Sequence, residues 1–438
     1  MSTDITRDRE PAGEAPAVET AGGATVEEQL SPERWPRLPR DHRAIQEVPV
    51  HRLEAAPGST APSDGDDGGT AVLSVGEDSA VVRFRHHAPQ ARAVALAANG
   101  FGHPVPRDAC DLRSVGEGWW ETILEVPADW RTSYGFAEHQ GAGDPPWWKR
   151  GLKRPGARVV ADATVPRGHD AGRGGGYRSV LSVPDDGPFP PVPTEPGPAL
   201  HELPTGPEEP EVRWWAPRPG DPGCADLDPA TPLPLLIVVD GEQHADQLGT
   251  PELVRRGISA GALPPLAAVF VTSGPDRPDV LGVPDGHARW IAETLVPRLR
   301  TEGLHACPEG PSQGAAVTVT SDPARTVLTG SSFGGLTTLF GVAWAPEQIG
   351  VGIAQSVSLW RYAEGSLVRP LQLAARRAPL RLRLHAGRYE GTMPEQAGRL
   401  VEALREDGAD ATLEVFTGGH DWAWWQPMML RELATVLG

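Results

Sequence analysis

A doubly wound, mostly parallel α/β sheet preceded by a smaller β-sandwich is the fold class this 438-residue sequence predicts. Three observations predict it. Short, turn-bounded strand signals crowd into residues 70–136 and then stop. Beyond a Pro-rich stretch, strand signals alternate with helix signals, the order that builds a parallel sheet. One of those strands runs through a knot of Gly and Ser directly into a helix, in "TVLTGSSFGGLTTLF" (Thr326 to Phe340).

Residues 1–45 are rich in Glu, Ala, Pro and Arg and poor in aromatics, so a disordered, acidic tail is expected there. Residues 46–190 are assigned to the β-sandwich domain. Within it "TAVLSV", "AVVRFRHHA", "ARAVALAAN", "WWETILEVP" and "TSYGFAEH" are short, β-branched or aromatic, and several alternate with period two. Such strands suit an immunoglobulin-like sandwich, with "PWWKRGLKRPGARVVADATVPRG" as a loop-rich extension. Val183 to Pro210 is Pro-rich, which favours extended chain, and residues 191–210 are assigned as the linker.

Residues 211–438 form the second domain. "PLPLLIVVDGE" is a continuous apolar run, as expected for a strand buried on both faces. "EVRWWAP", "LAAVFVTSG", "ARTVLTG", "IGVGIAQSVS", "LRLRLHAG" and "TLEVFTGGH" read as further strands. "HARWIAETLVPRLRTEG", "GGLTTLFGVAWAP" and "PEQAGRLVEALREDGA" have apolar residues at helical spacing.

Composition narrows the function. The 58 acidic and 40 basic residues give a net charge of −18, which argues against a nucleic-acid or anionic-membrane binder. Three widely spaced cysteines (Cys110, Cys224, Cys307) show neither a disulfide framework nor a zinc pattern. The N-terminus lacks a basic-then-apolar leader, and no run approaches the ~20 apolar residues of a membrane span. A cytoplasmic protein is the expectation, and a local basic pocket for an anionic small molecule is not excluded.

The chemistry is carried by Gly330-Ser331-Ser332-Phe333-Gly334. The G-x-S-x-G frame falls on Ser332, between a strand and a helix, which is the setting of a nucleophile elbow in an α/β-hydrolase fold. Ser331 would break the Gly frame. The Phe333 N–H and the helix dipole can stabilise an oxyanion. A serine needs a base, and the fold's order is Ser, acid, His. His420, in "VFTGGHDWAWW", follows a late strand behind two glycines. Its rival His385 lies inside a strand. The acid belongs in "HAGRYEGTMPEQ", where Glu390 sits in the loop and Glu395 starts the next helix. A second oxyanion donor is expected after "LLIVVDGEQ", at the Gly241 or Glu242 N–H.

These residues resemble the enterochelin (ferric enterobactin) esterases. "LLIVVDGE", "GSSFGGL", "IAQSVSLW", "HAGRYEG" and "TGGHDWAWW" are similar to that family's blocks in order and spacing, and "GWWETILEVPADWRTSYGF" resembles the end of its β-sandwich. The resemblance covers residues 70–438. It implies Ser332, His420 and Glu390 as nucleophile, base and acid of a serine esterase. Its substrate would be an iron-loaded catecholate siderophore built on ester bonds, with no cofactor or metal of the protein's own, iron entering only on the substrate. Other ester hydrolases or acyltransferases on this fold, or a non-catalytic siderophore-binding protein, are the competing readings. One departure is "PDRPDVLGVPDG", which keeps Arg277 but lacks the acid the family places shortly after it. A ferric tricatecholate is anionic, so cations with aromatic faces are candidate substrate contacts: Trp148 and Arg150, in the cluster Trp147, Trp148, Lys149, Arg150, Lys153 and Arg154, together with Arg361 and Arg388.

Overall fold

Period-two alternation in the early strands buries one face of each. In β3 (Ser79–His87) the buried side chains include Ala80, Val82 and Phe84, and in β6 (Trp119–Pro127) they are Thr122, Leu124 and Val126. These two strands pair in an antiparallel sheet ordered β1 (His51–Leu53), β6, β3, β2 (Ala71–Val75), with β5 (Arg113–Gly116) also on β6. A second antiparallel sheet runs β4 (Ala93–Ala98), β7 (Arg131–His139), β10 (Tyr177–Ser182), β9 (Gly168–Asp170), with β8 (Val159–Val160) on β7. Val82, Phe84, Leu124 and Val126 of the first sheet share one core with Leu96, Tyr134 and Phe136 of the second. The structure is a computed structural model that describes residues 25–39, 48–53, 68–99, 110–150, 156–165, 168–170, 177–184, 197–305 and 316–438.

The rest of the chain builds one eight-stranded mixed sheet. Its order is β11 (His201–Leu203), β12 (Val212–Trp215), β14 (Ala267–Val271), β13 (Leu235–Val239), β15 (Thr326–Ser331), β16 (Val351–Gln355), β17 (Arg381–Gly387) and β18 (Asp410–Phe416). β11 and β12 run antiparallel, and every pairing from β14 to β18 is parallel. The apolar run in β13 explains the layering. Leu235, Ile237 and Val239 enter the core on one face and Leu236 and Val238 the core on the other. Helices Phe333–Trp344, Val368–Arg377 and Met393–Glu406 cover the first face, and Thr250–Ser259 and Trp422–Leu437 the second. Among the described residues no helix is long and apolar enough to cross a membrane.

Two sequence expectations are corrected here. Residues 201–203, assigned to the linker, form the edge strand β11, because Leu203 buries its side chain while the backbone pairs with β12. Residues 25–39, assigned to the disordered tail, are a strap on the large domain. Thr25 and Glu28 make a reciprocal capping box at the first turn, Val26–Gln29. Val26, Leu30 and Trp35 then insert into the first-face core. Trp35 stands edge-on to Phe340 and Tyr362, with ring centroids 4.8 and 5.0 Å away, and its Nε1 donates to the Gln29 carbonyl at 2.9 Å. Residues 1–24 lie outside the described residues. Three apolar side chains are enough to hold an otherwise polar segment when a formed core accepts them. Trp35→Ala removes the largest of them and is expected to destabilise the protein by about 3–5 kcal/mol, read as a lower urea midpoint. A detachable tail would leave that midpoint unmoved.

Candidate active site

β15 ends at Ser331 and the helix starts at Phe333, so Ser332 alone makes the turn. It does so at φ 61°, ψ −115°, a left-handed conformation costing on the order of 1–3 kcal/mol for a non-glycine residue. Packing enforces it. A Cβ on Gly330 would lie 2.3 Å from Val239 Cγ2, and one on Gly334 would lie 2.8 Å from the same atom. Both glycines of the motif are therefore required by the approach of β13. The Ser332 N–H donates to the Gln355 carbonyl at 2.9 Å, which fixes the turn from the other side. Ser331 is settled as a core residue: it is buried and its Oγ donates to Gln355 Oε1 at 3.2 Å.

His420 Nδ1 lies 2.6 Å from Glu390 Oε1. Glu390 is buried, and its second oxygen accepts from Ser356 Oγ (2.8 Å) and from the Gly387 N–H (2.6 Å). Ser356 is itself held by Trp425 Nε1 at 2.6 Å, and the Trp425 ring meets the imidazole edge-on at 4.6 Å. Glu395, by contrast, is a surface residue on the first turn of its helix, 3.9 Å from Arg399. His385 is buried in β17, where Nδ1 meets Gln355 Nε2 at 3.1 Å. Asp421, next to His420, turns away to cap the last helix through the Ala423 N–H. Ser332 Oγ hydrogen-bonds to Ser358 Oγ at 3.2 Å and makes no direct bond to His420. Completing the line takes a turn of the serine side chain or of the imidazole, which is 42% exposed; catalytic bonds of this kind commonly tighten only around substrate.

The residues expected to supply oxyanion donors stand at two helix N-termini. Phe333 opens the elbow helix, and Gly241 and Glu242 open the helix Gly241–Asp246. Amides at such positions have no acceptor within their own helix. A Cβ on Gly241 would lie 2.6 Å from the Phe270 backbone, so β14 dictates glycine there. Asp240, the cap residue, is also left-handed (φ 56°) and fully engaged: Arg277 grips it through Nε (2.5 Å) and Nη2 (2.7 Å), and Ser273 Oγ donates at 2.8 Å. Burial pushes the Asp240 carboxyl up, but the Arg277 charge and these donors outweigh it and hold it below its ordinary value. Arg277 Nη2 also reaches the Ser331 carbonyl at 3.2 Å, tying the Asp240 loop to the elbow. Arg277 thus finds its carboxylate partner directly after β13.

Residues 225–436 match the family described as putative esterase. The chain is 29% identical over 227 residues to the iron(III) salmochelin esterase of Escherichia coli O6:H1, covering 49% of this chain and 53% of that one. It is 26% identical over 351 residues to the iron(III) enterobactin esterase of the same organism, covering 73% of this chain and 80% of that one. Over these stretches the chain is similar to the esterases named. The match spans about half the length of the salmochelin relative. The fold agrees as well: the enterobactin esterase of Shigella flexneri, solved in the presence of enterobactin, superposes with a TM-score of 0.65 at 21% identity, over 84% of this chain and 96% of that one.

Among the described residues that the sequence suggests as substrate contacts, Arg388 is an exposed cation in the loop after β17, two residues from Glu390. Arg361 is corrected. It is buried, its guanidinium stacks 4.5 Å over the Phe333 ring, and Nη2 donates to the Pro278 carbonyl at 2.6 Å. Its guanidinium is engaged by the Phe333 ring and the Pro278 carbonyl. Trp148 is corrected likewise: its indole N–H is bound to Asp111 Oδ2 at 2.7 Å and the ring packs on the N-terminal core. Lys153, Arg154 and the Arg150 side chain lie outside the described residues. Ser356, Ser358 and Trp425 are site residues that sequence reasoning missed. "SVS" after a strand at the catalytic edge was the available signal for the two serines.

Proposed function

We propose that this protein is a serine esterase that hydrolyses the ester bonds of an iron-loaded, enterobactin-like catecholate siderophore, releasing the iron in the cytoplasm. The observation that carries the catalytic part is the 2.6 Å contact between Glu390 and His420, in the loops after β17 and β18, taken together with a serine held at a strained elbow after β15. Ser332 Oγ attacks the ester carbonyl and His420 takes its proton. The oxyanion is met by the Phe333 N–H and by the Gly241 or Glu242 N–H. Collapse expels the alcohol, which takes the proton back from His420, and water then releases the acid by the same steps. Glu390 holds the imidazole tautomer and stabilises the imidazolium. The substrate part rests on the names of the relatives and on the enterobactin present with the Shigella flexneri enzyme. Iron enters and leaves as cargo, with no metal of the protein's own.

This reading takes residues 211–438 as an α/β-hydrolase domain and residues 46–190 as an immunoglobulin-like sandwich. Mass spectrometry of products from a panel of ferric and iron-free ester siderophores tests it. Stepwise ring opening to linear and monomeric acids is expected. No cleavage of any member would overturn the substrate while leaving the esterase.

A further inference from the structure

The loop that carries His420 is fastened from outside its own domain. It runs Thr417-Gly418-Gly419-His420-Asp421, and its two adjacent glycines have no side chain of their own to fix the backbone that leads into His420. Within the large domain His420 is held by Glu390 and by the edge of Trp425. Trp424 Nε1 also donates to the Gly419 carbonyl at 2.6 Å, and Asp421 caps the last helix. The N-terminal domain adds a further set of restraints. Asn99, just after β4, donates from Nδ2 to the His420 carbonyl at 2.8 Å. The Ser133 N–H on β7 donates to Asp421 Oδ2 at 2.5 Å, and the Arg131 N–H to the Thr417 carbonyl at 3.2 Å. Thr417 Oγ1 in turn donates to Asp129 Oδ2 at 2.7 Å. The contact is close enough that a Cβ on Gly418 would lie 3.2 Å from the Arg131 carbonyl.

The acid is tied to the same domain. Tyr389, one residue before Glu390, buries its ring in the N-terminal core, and its N–H donates to the Gly418 carbonyl at 3.1 Å. Asn99 is itself anchored on both sides of its backbone. Its N–H donates to the Ser133 carbonyl at 2.9 Å, and its own carbonyl accepts from Thr132 Oγ1 at 3.0 Å.

We infer that the N-terminal β domain positions the catalytic base, and that Asn99 is the side chain through which it does so. The inference rests on the reading of His420 as the base. Asn99 touches no reacting atom; it is a positioning residue that fixes the backbone carrying the imidazole. Because Asn99 lies on one domain and His420 on the other, the contact makes catalytic competence depend on how the two domains are docked.

The test uses the full chain and p-nitrophenyl butyrate. Asn99→Ala, and Asn99→Asp, which keeps the shape but cannot donate, are each expected to lower kcat by about ten- to a hundredfold. KM and the unfolding midpoint stay as in the wild type. On top of His420→Ala, the same Asn99→Ala change is expected to cost nothing further, because its effect passes through the imidazole. Wild-type kcat in Asn99→Asp would overturn the inference, and so would an equal loss with and without His420, which marks a general structural effect. Full activity in His420→Ala alone would instead overturn the reading of the base beneath it.

Discussion

Ser332→Ala is expected to lower ester hydrolysis by about 10⁶-fold and to abolish labelling by a fluorophosphonate. The size follows from what is lost. The other groups remain, but oxyanion donors and an oriented imidazole have no covalent intermediate to act on, and what is left is binding plus weak activation of water. The neighbouring hydroxyl cannot substitute. Ser331 lies on the last position of β15 with its Oγ turned to Gln355, inside the core. Ser331→Ala therefore removes one buried hydrogen bond, costs about 1 kcal/mol of stability, and leaves labelling intact. The pair of variants separates the two serines of the motif: retained labelling in Ser332→Ala, or its loss in Ser331→Ala, would move the nucleophile by one residue.

The parts of this fold that were legible in the sequence are those specified locally. β13 announces itself because five consecutive apolar residues must each bury a side chain, whichever face they meet. The elbow is legible because its two glycines frame the serine within five residues, between a strand and a helix. Glu390 and His420 are legible by order, each in the loop after a strand. What was hidden is whatever depends on a distant partner. The strap at residues 25–39 has the composition of a solvated tail, and only the cleft between Phe340 and Tyr362 makes Trp35 a core residue. Arg361 and Trp148 have the side chains of a ligand site, but a guanidinium stacks as well on Phe333 as on a catecholate, and an indole N–H binds Asp111 as well as a substrate oxygen. Ser356 holds Glu390 from a left-handed backbone (φ 45°) that no glycine advertises. The Asp240–Arg277 pair joins residues 37 apart along the chain, so no local pattern could reveal it.

Glu390→Gln is expected to reduce kcat by about 10⁴-fold with little change in KM. The surroundings of the carboxylate dictate why. Oε2 faces two donors, the Ser356 hydroxyl and the Gly387 N–H, and the second cannot reverse its role. An amide at this position must therefore place its oxygen on that side and its NH₂ toward His420. The imidazole then meets a donor where it met an acceptor, and the tautomer with the proton on Nε2 is favoured. That nitrogen can no longer take the proton of Ser332. The substitution thus leaves volume, burial and most hydrogen bonds in place while disabling the base, and a melting point close to the wild type should accompany the loss. Glu395→Gln, at the exposed start of the next helix, is expected to behave as wild type. A loss below about tenfold in Glu390→Gln would be too small for a wrong-tautomer base, and would mean that His420 is oriented chiefly by its backbone and by Trp425.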